Sequence, residues 1–185
     1  MSNSSSTDSN GFLQGVAFIS SANCDERPEG VAVELIVIHS ISLPPGEFGS
    51  SYVADFFTNC LDCSAHPYFA EIKNLHVSAH FFIRRNGEVI QFVPCAKRAW
   101  HAGASTWRGR ERCNDFSIGI ELEGCDNQPF EAIQYEKLAQ LVRALKDVFP
   151  IRDIVGHSDI APGRKTDPGP SFDWERFRGM LAVQR

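Results

Sequence analysis

Gly156-His157-Ser158-Asp159-Ile160-Ala161-Pro162-Gly163-Arg164-Lys165-Thr166-Asp167-Pro168-Gly169-Pro170 is a loop fenced by three prolines, and its flanks decide the fold. Pro162, Pro168 and Pro170 lack backbone donors and hold φ at about −65°, so no regular helix is expected through it. A short apolar strand, Ile151 to Val155, enters the loop, and an amphipathic segment beginning near Ser171 leaves it. Upstream, Glu131 to Phe149 carries Leu138, Leu141, Val142, Leu145, Val148 and Phe149 in a three-to-four rhythm that stops at Pro150. This spacing predicts a helix with its apolar stripe in the core. Before it, Phe116 to Glu123 alternates strictly: Phe116, Ile118, Ile120 and Leu122 share one face, and Ser117, Gly119, Glu121 and Glu123 the other. A helix crossing between two strands places the chain in the α/β class.

The loop also carries chemistry. Residues two apart on an extended segment point the same way, so Lys165 and Asp167 face one space, with His157 at the strand end opening onto it. Histidine and carboxylate suit a zinc ion, and a lysine beside a developing oxyanion suits hydrolysis. A solvated surface loop has the same composition, and the stretch alone does not choose. Glu121 and Glu123 pose a similar question. If their face lines a cleft, one is a ready general base, but alternation cannot say which, and a solvent-facing strand looks alike.

Working outward, Val31 to Ile38 is apolar and β-branched and reads as a strand buried on both faces. It is expected to end at His39, before the break at Ser42-Leu43-Pro44-Pro45-Gly46, which puts a histidine at a strand's carboxyl end. In the long connection 41–75, Val53, Phe56, Phe57 and Cys60 recur at helical spacing behind Ser50 or Ser51, and His66-Pro67 reads as loop. His76 and His80 are spaced i,i+4. Yet Phe81 to Arg85, Asn86-Gly87 and Glu88 to Val93 form a hairpin with a type I′ turn signal, so the pair is not read as a helical zinc motif. Ala99-Trp100-His101-Ala102-Gly103 is a polar-aromatic loop whose Trp suits stacking or a structural role equally. Ser171 to Leu181 places Trp174, Phe177 and Leu181 on one helical face.

A length of 185 residues fits one domain, residues 11–185, behind a Ser- and Asn-rich tail at 1–10 expected to be disordered. Such a domain buries roughly 70% of its unfolded surface and needs no staple to fold. A net charge of −5 argues against nucleic acid or anionic membrane as partner. Arg108, Arg110 and Arg112 reverse the sign locally, as an anion-receiving cluster or a charged turn. No run approaches the ~18 apolar residues of a membrane span, and Gly11 to Ala22 lacks a signal peptide's basic start. A soluble, cytoplasmic, monomeric protein is expected. Six cysteines fit that compartment as reduced thiols, and Cys60-Leu61-Asp62-Cys63 has neither the strand–helix context of a redox pair nor a second CxxC.

Three candidate zinc ligands stand out by placement: His39, His157 and Asp167. Two histidines and a carboxylate with a fourth position open is a catalytic rather than a structural arrangement. The separated blocks His39 to Gly49, Ala65 to Phe69, Val77 to His80, Arg98 to Gly103, Gly109 to Ser117 and Gly119 to Gly124, together with the opening stretch, resemble AmpD-type N-acetyl-anhydromuramoyl-L-alanine amidases. The resemblance runs from about Gly11 to Leu181. It implies a fold like that of T7 lysozyme and the peptidoglycan-recognition proteins, a mixed central sheet with packed helices. It implies zinc on His39, His157 and Asp167, with Glu121 and Lys165 as catalytic residues. It also implies Trp100, Arg112 and Ser40 near a small anhydromuropeptide substrate. Ser40 stands where relatives often have Asn, which bears on the sugar's acetamido contact, and Gly163 replaces a usual Glu. The rival readings are a recognition module that binds without cutting and an amidase acting on polymeric wall. Retention of Asp167, Lys165 and Glu121 speaks against the first, and the missing leader signal against the second.

Overall fold

The computed structural model describes Asp8 and residues 11–183, so most of the expected disordered tail lies outside the described residues. In chain order the strands are β1 (Ala17–Phe18), β2 (Cys24–Glu26), β3 (Leu35–Ile41), β4 (Phe81–Ile83), β5 (Val89–Gln91), β6 (Lys97–Ala99), β7 (Thr106–Trp107), β8 (Arg110–Glu111), β9 (Ser117–Glu123) and β10 (Asp153–Gly156). The helices are α1 (Tyr52–Phe57), α2 (Pro67–Ile72), α3 (Ala132–Val148), α4 (His157–Ile160) and α5 (Trp174–Ala182). Six strands make a mixed sheet in the order β1-β5-β4-β9-β3-β10, and β2–β6 and β7–β8 form two short ribbons. β9 lies between β4 and β3 and is parallel to both; β10 is parallel to β3, and β4–β5 is the antiparallel hairpin.

All seven residues of β9 are buried. Ile118, Ile120 and Leu122 join Ile36, Ile38 and the Leu138, Leu141, Val142 and Leu145 stripe of α3 in one core. Phe116 lies outside the strand and packs instead with Leu35, Val37 and Val155 under the Arg110 guanidinium. At the head of α3, buried Gln134 accepts from the Glu131 N–H (3.0 Å) and donates to the carbonyls of Ile83 (3.2 Å) and Glu123 (3.1 Å). One side chain thereby caps the helix and ties it to β4 and β9. Phe177 of α5 is buried among Phe172, Tyr135 and Phe130, beside Trp174. The opposite face of the sheet carries α1 and α2, whose Phe56, Phe57, Phe69 and Ile72 pack on Phe82 and Phe92.

Four expectations need correction. β3 runs on through Ile41, so His39 sits within the strand rather than at its end. The hairpin loop holds three residues, with Gly87 N–H donating to Arg84 O and Arg84 N–H to Glu88 O, each at 2.9 Å. Only Gly87 of the Asn86-Gly87 pair is left-handed, whereas a type I′ turn needs both. Pro67 opens α2 instead of a loop: proline tolerates the first helical position, and His66 Nδ1 caps by accepting from Tyr68 N–H (3.2 Å). A single helical turn, α4, also forms at the head of the 156–170 loop, before Pro162 bars its extension. Among the described residues no helix is long and apolar enough to cross a membrane.

The i,i+4 histidines part company. His76 is exposed and meets Asn59, while His80 is wholly buried, accepting Gly119 N–H on Nδ1 (3.0 Å) and facing Lys97 O from Nε2 (3.1 Å). Burial, aided by the Arg27 charge, depresses the His80 pKa to about 3. The unfolded chain therefore takes up this proton first: stability is full above pH ~6.5 and is lost progressively as pH falls toward 3. Each such histidine steepens the decline by up to about 1.4 kcal/mol per pH unit. Urea titrations between pH 7 and 4 should give a shallower slope for His80→Gln than for the parent. Equal slopes would show that His80 is not held neutral.

Candidate metal centre

Sheet register assembles the centre. His39 on β3 stands opposite Glu121 on β9, and Gly156 on β10 opposite Ile38, so the next residue, His157, arrives beside His39. All three lie toward the carboxyl ends of parallel strands, the usual edge for a site in such sheets. Asp167 returns to the same point because its backbone carbonyl accepts from Ser158 N–H (3.0 Å). The outcome is a triangle: His39 Nδ1, His157 Nδ1 and Asp167 Oδ2 lie 3.0 Å from one another.

These residues fit a divalent cation. Ligands on a tetrahedral zinc with bonds of about 2.0–2.1 Å stand ~3.3 Å apart, close to the spacing seen. His157 Nε2 faces the Ala102 carbonyl (3.1 Å), which can only accept, so the ring hydrogen sits there and Nδ1 offers its lone pair to the centre. Burial, reinforced by the charges of His157 and Lys165, lowers the His39 pKa to about 4 despite Asp167, leaving the imidazole neutral. Neutral imidazole and ionised carboxylate are the ligand forms a metal requires. Among the described residues these three could together hold one metal ion.

The two glutamates of β9 have different surroundings. Glu123 is engaged on both oxygens, Oε1 accepting from Gly49 N–H (2.6 Å) and Oε2 from Arg85 N–H (3.0 Å). Glu121 is also buried, yet its Oε2 has no hydrogen-bond partner. Burial first, then the Asp167 charge, pushes its pKa well above the ordinary carboxylate value, against the pull of Lys165. An orphaned buried carboxylate in a cleft is a candidate acid–base group. Lys165 is exposed at the cleft wall.

The cleft holds about 480 Å³ and joins this polar end to apolar side chains of the α1 and α2 region, among them Phe56, Tyr68, Ile72 and Leu75. Ser40 lines it. Trp100 and Arg112 do not. Trp100 is half-buried, in a loop held through its backbone N–H on Ser78 Oγ (3.1 Å). Arg112 has left-handed backbone (φ 61°), is 69% exposed and pairs with Asp115 at 3.3 Å. Arg108 and Arg110 likewise meet Asp153 (2.9 Å) and Glu34 (2.8 Å), so the three arginines form a charged turn. Two contributors escaped the sequence reading. Arg164 donates to the carbonyls of Ala102 (2.7 Å) and Ala104 (2.6 Å), clamping the two site loops together. His101 touches His39 from behind (2.9 Å), and the bare backbone of Gly119 beneath its ring was the available signal.

Residues 29–170 match the family model described as N-acetylmuramoyl-L-alanine amidase. The chain belongs to that family. This amidase is 55% identical over 176 residues to the 1,6-anhydro-N-acetylmuramyl-L-alanine amidase AmpD of Escherichia coli (strain K12), a match covering 94% of this chain and 96% of the relative. It superposes on a crystal structure of a Se-Met AmpD derivative with a TM-score of 0.92 at 53% identity, covering 95% of this chain and 98% of the other. The amidase AmiD from E. coli, solved with anhydro-N-acetylmuramic acid-L-Ala-D-γ-Glu-L-Lys, matches with a TM-score of 0.59 at 31% identity, covering 94% of this chain and 65% of that one.

Proposed function

We propose that the protein is a zinc-dependent amidase that hydrolyses the bond between the lactyl group of 1,6-anhydro-N-acetylmuramic acid and L-alanine in small muropeptides, as a cytoplasmic step of peptidoglycan recycling. The observation that carries this reading is the convergence of His39, His157 and Asp167 within 3.0 Å of one another, in the cleft that also takes in Glu121. The likeness to AmpD along almost the whole chain supports the substrate class, as does AmiD's capture of an anhydromuropeptide.

Zinc held by His39, His157 and Asp167 would supply Lewis acidity and a water of lowered pKa. The chain's own groups do the rest. Glu121, with its free Oε2, takes a proton from the attacking water and delivers it to the departing L-alanine nitrogen as the C–N bond breaks. Lys165 holds the oxyanion that develops on the scissile carbonyl. Ser40 lies on the cleft wall and is part of the proposed substrate site, its shorter side chain weakening the hydrogen bond an Asn would give the sugar's acetamido group, while no substrate contact is assigned to Trp100 or Arg112.

Mass spectrometry of products from a defined anhydromuropeptide, with and without a chelator, tests the reading. It expects free peptide and anhydro sugar, with both lost on chelation. Binding without cleavage would leave a recognition module, and release from intact wall alone would move the substrate to polymer. Lys165→Ala is expected to keep zinc and lower kcat by about 10²-fold; an unchanged kcat would remove Lys165 from the oxyanion role.

A further inference from the structure

We propose that His101 is a positioning residue: through a relay to Ser117 and the Cys113 carbonyl it locks His39 in the tautomer that presents Nδ1 to the metal centre. The inference rests on the metal reading above.

The direction of each hydrogen bond is set from the far end of the relay. Ser117 Oγ lies 2.6 Å from the carbonyl oxygen of Cys113. A carbonyl can only accept, so the single hydroxyl hydrogen points there. Ser117 Oγ must then accept from His101 Nε2, 3.1 Å away. With its hydrogen on Nε2, neutral His101 offers Nδ1 as an acceptor. His39 Nε2, at 2.9 Å, is the donor that meets it. A neutral imidazole has one ring hydrogen, so His39 Nδ1 is bare and aimed at His157 Nδ1 and Asp167 Oδ2. His157 reaches the same state more directly, through the Ala102 carbonyl. Both metal-facing nitrogens are thus set from behind, one by a carbonyl and one by three groups in series.

The packing is built for this relay. His101 is buried and its ring meets His39 edge to face, with centroids 5.0 Å apart. A Cβ on Gly119 would lie 2.4 Å from His101 Cγ, so β9 leaves its backbone bare where the ring sits. Asn114 Oδ1 accepts from the N–H groups of both His101 (3.2 Å) and Ala102 (2.8 Å), fixing the loop that bears both outer partners.

Two substitutions separate the relay from packing. His101→Phe keeps a ring over Gly119 and removes the acceptor. His101→Asn gives up the ring and keeps an acceptor oxygen near the position of Nδ1. Zinc affinity, measured by competition with a chromophoric chelator, should fall about 10–100-fold in His101→Phe, the usual loss for a partner behind a metal ligand. It should be largely restored in His101→Asn. Long-range 1H–15N spectra of the zinc-free parent should show the His39 hydrogen on Nε2, and His101→Phe should mix the tautomers. Ser117→Ala, which leaves both rings in place, should scramble His101 itself and serves if the His101 variants fail to fold. Parent-like zinc affinity in His101→Phe, or a His39 hydrogen on Nδ1 in the parent, would overturn the relay. A parent that binds no zinc would instead sink the metal reading, and its zinc-free spectrum would still decide the tautomer.

Discussion

His157→Ala is expected to abolish metal binding and amide hydrolysis together. His157 is 4% exposed, and its Nδ1 is one corner of a triangle whose other corners, His39 Nδ1 and Asp167 Oδ2, lie 3.0 Å away. Catalytic zinc sites commonly rely on three protein ligands, and two remaining donors do not make one. The fold should survive the change. The Ala102 carbonyl that faces His157 Nε2 still receives Arg164 Nη2 at 2.7 Å, so no buried acceptor is stranded. Zinc content after dialysis and product release should therefore both drop to background while the circular dichroism spectrum is kept. A variant that retains one zinc per chain would remove His157 from the ligand set.

Glu121→Ala should lower kcat by about 10²–10⁴-fold, the range for a lost general base. Its effect on stability should run the other way. Glu121 carries a buried oxygen without a partner and a pKa pushed up by burial, so removing it relieves an unfavourable group and should stabilise by roughly 1 kcal/mol. Glu123→Ala should show the mirror pattern. It would strand the N–H groups of Gly49 and Arg85, at roughly 1–3 kcal/mol each, while turnover per folded molecule changes far less. Thermal melts and steady-state kinetics on the two variants give both readouts. If Glu123→Ala lost turnover and Glu121→Ala lost stability, the base would have been misassigned between two residues of one strand.

Much of the frame was legible in local pattern. The alternation read at 116–123 became β9 from Ser117 onward, with Phe116 left outside the strand, the three-to-four rhythm at 131–149 became α3 between Glu131 and Phe149 as its caps, and the proline fence at 162–170 lies in the site loop. The misreadings share a cause. Asn86-Gly87 signals a hairpin, but loop length depends on which carbonyl the Arg84 N–H reaches. Pro67 signals a break, but whether it ends a loop or opens a helix depends on the residues after it and on His66 capping from outside. Val148 fits the stripe of α3, yet in the last turn it is 47% exposed.

By itself the sequence determined the periods, breaks and turn residues, because those arise from sterics and amphipathicity within a few residues. It also carried enough separated motif blocks to indicate the family. Only tertiary structure decided which of two glutamates is free. The groups that occupy Glu123 come from Gly49 and Arg85, 74 and 38 residues away, and nothing in the strand's own alternation encodes their arrival. The same holds for the metal triangle, whose corners are brought together by the register of β3, β9 and β10 and by one backbone hydrogen bond from Ser158 to Asp167.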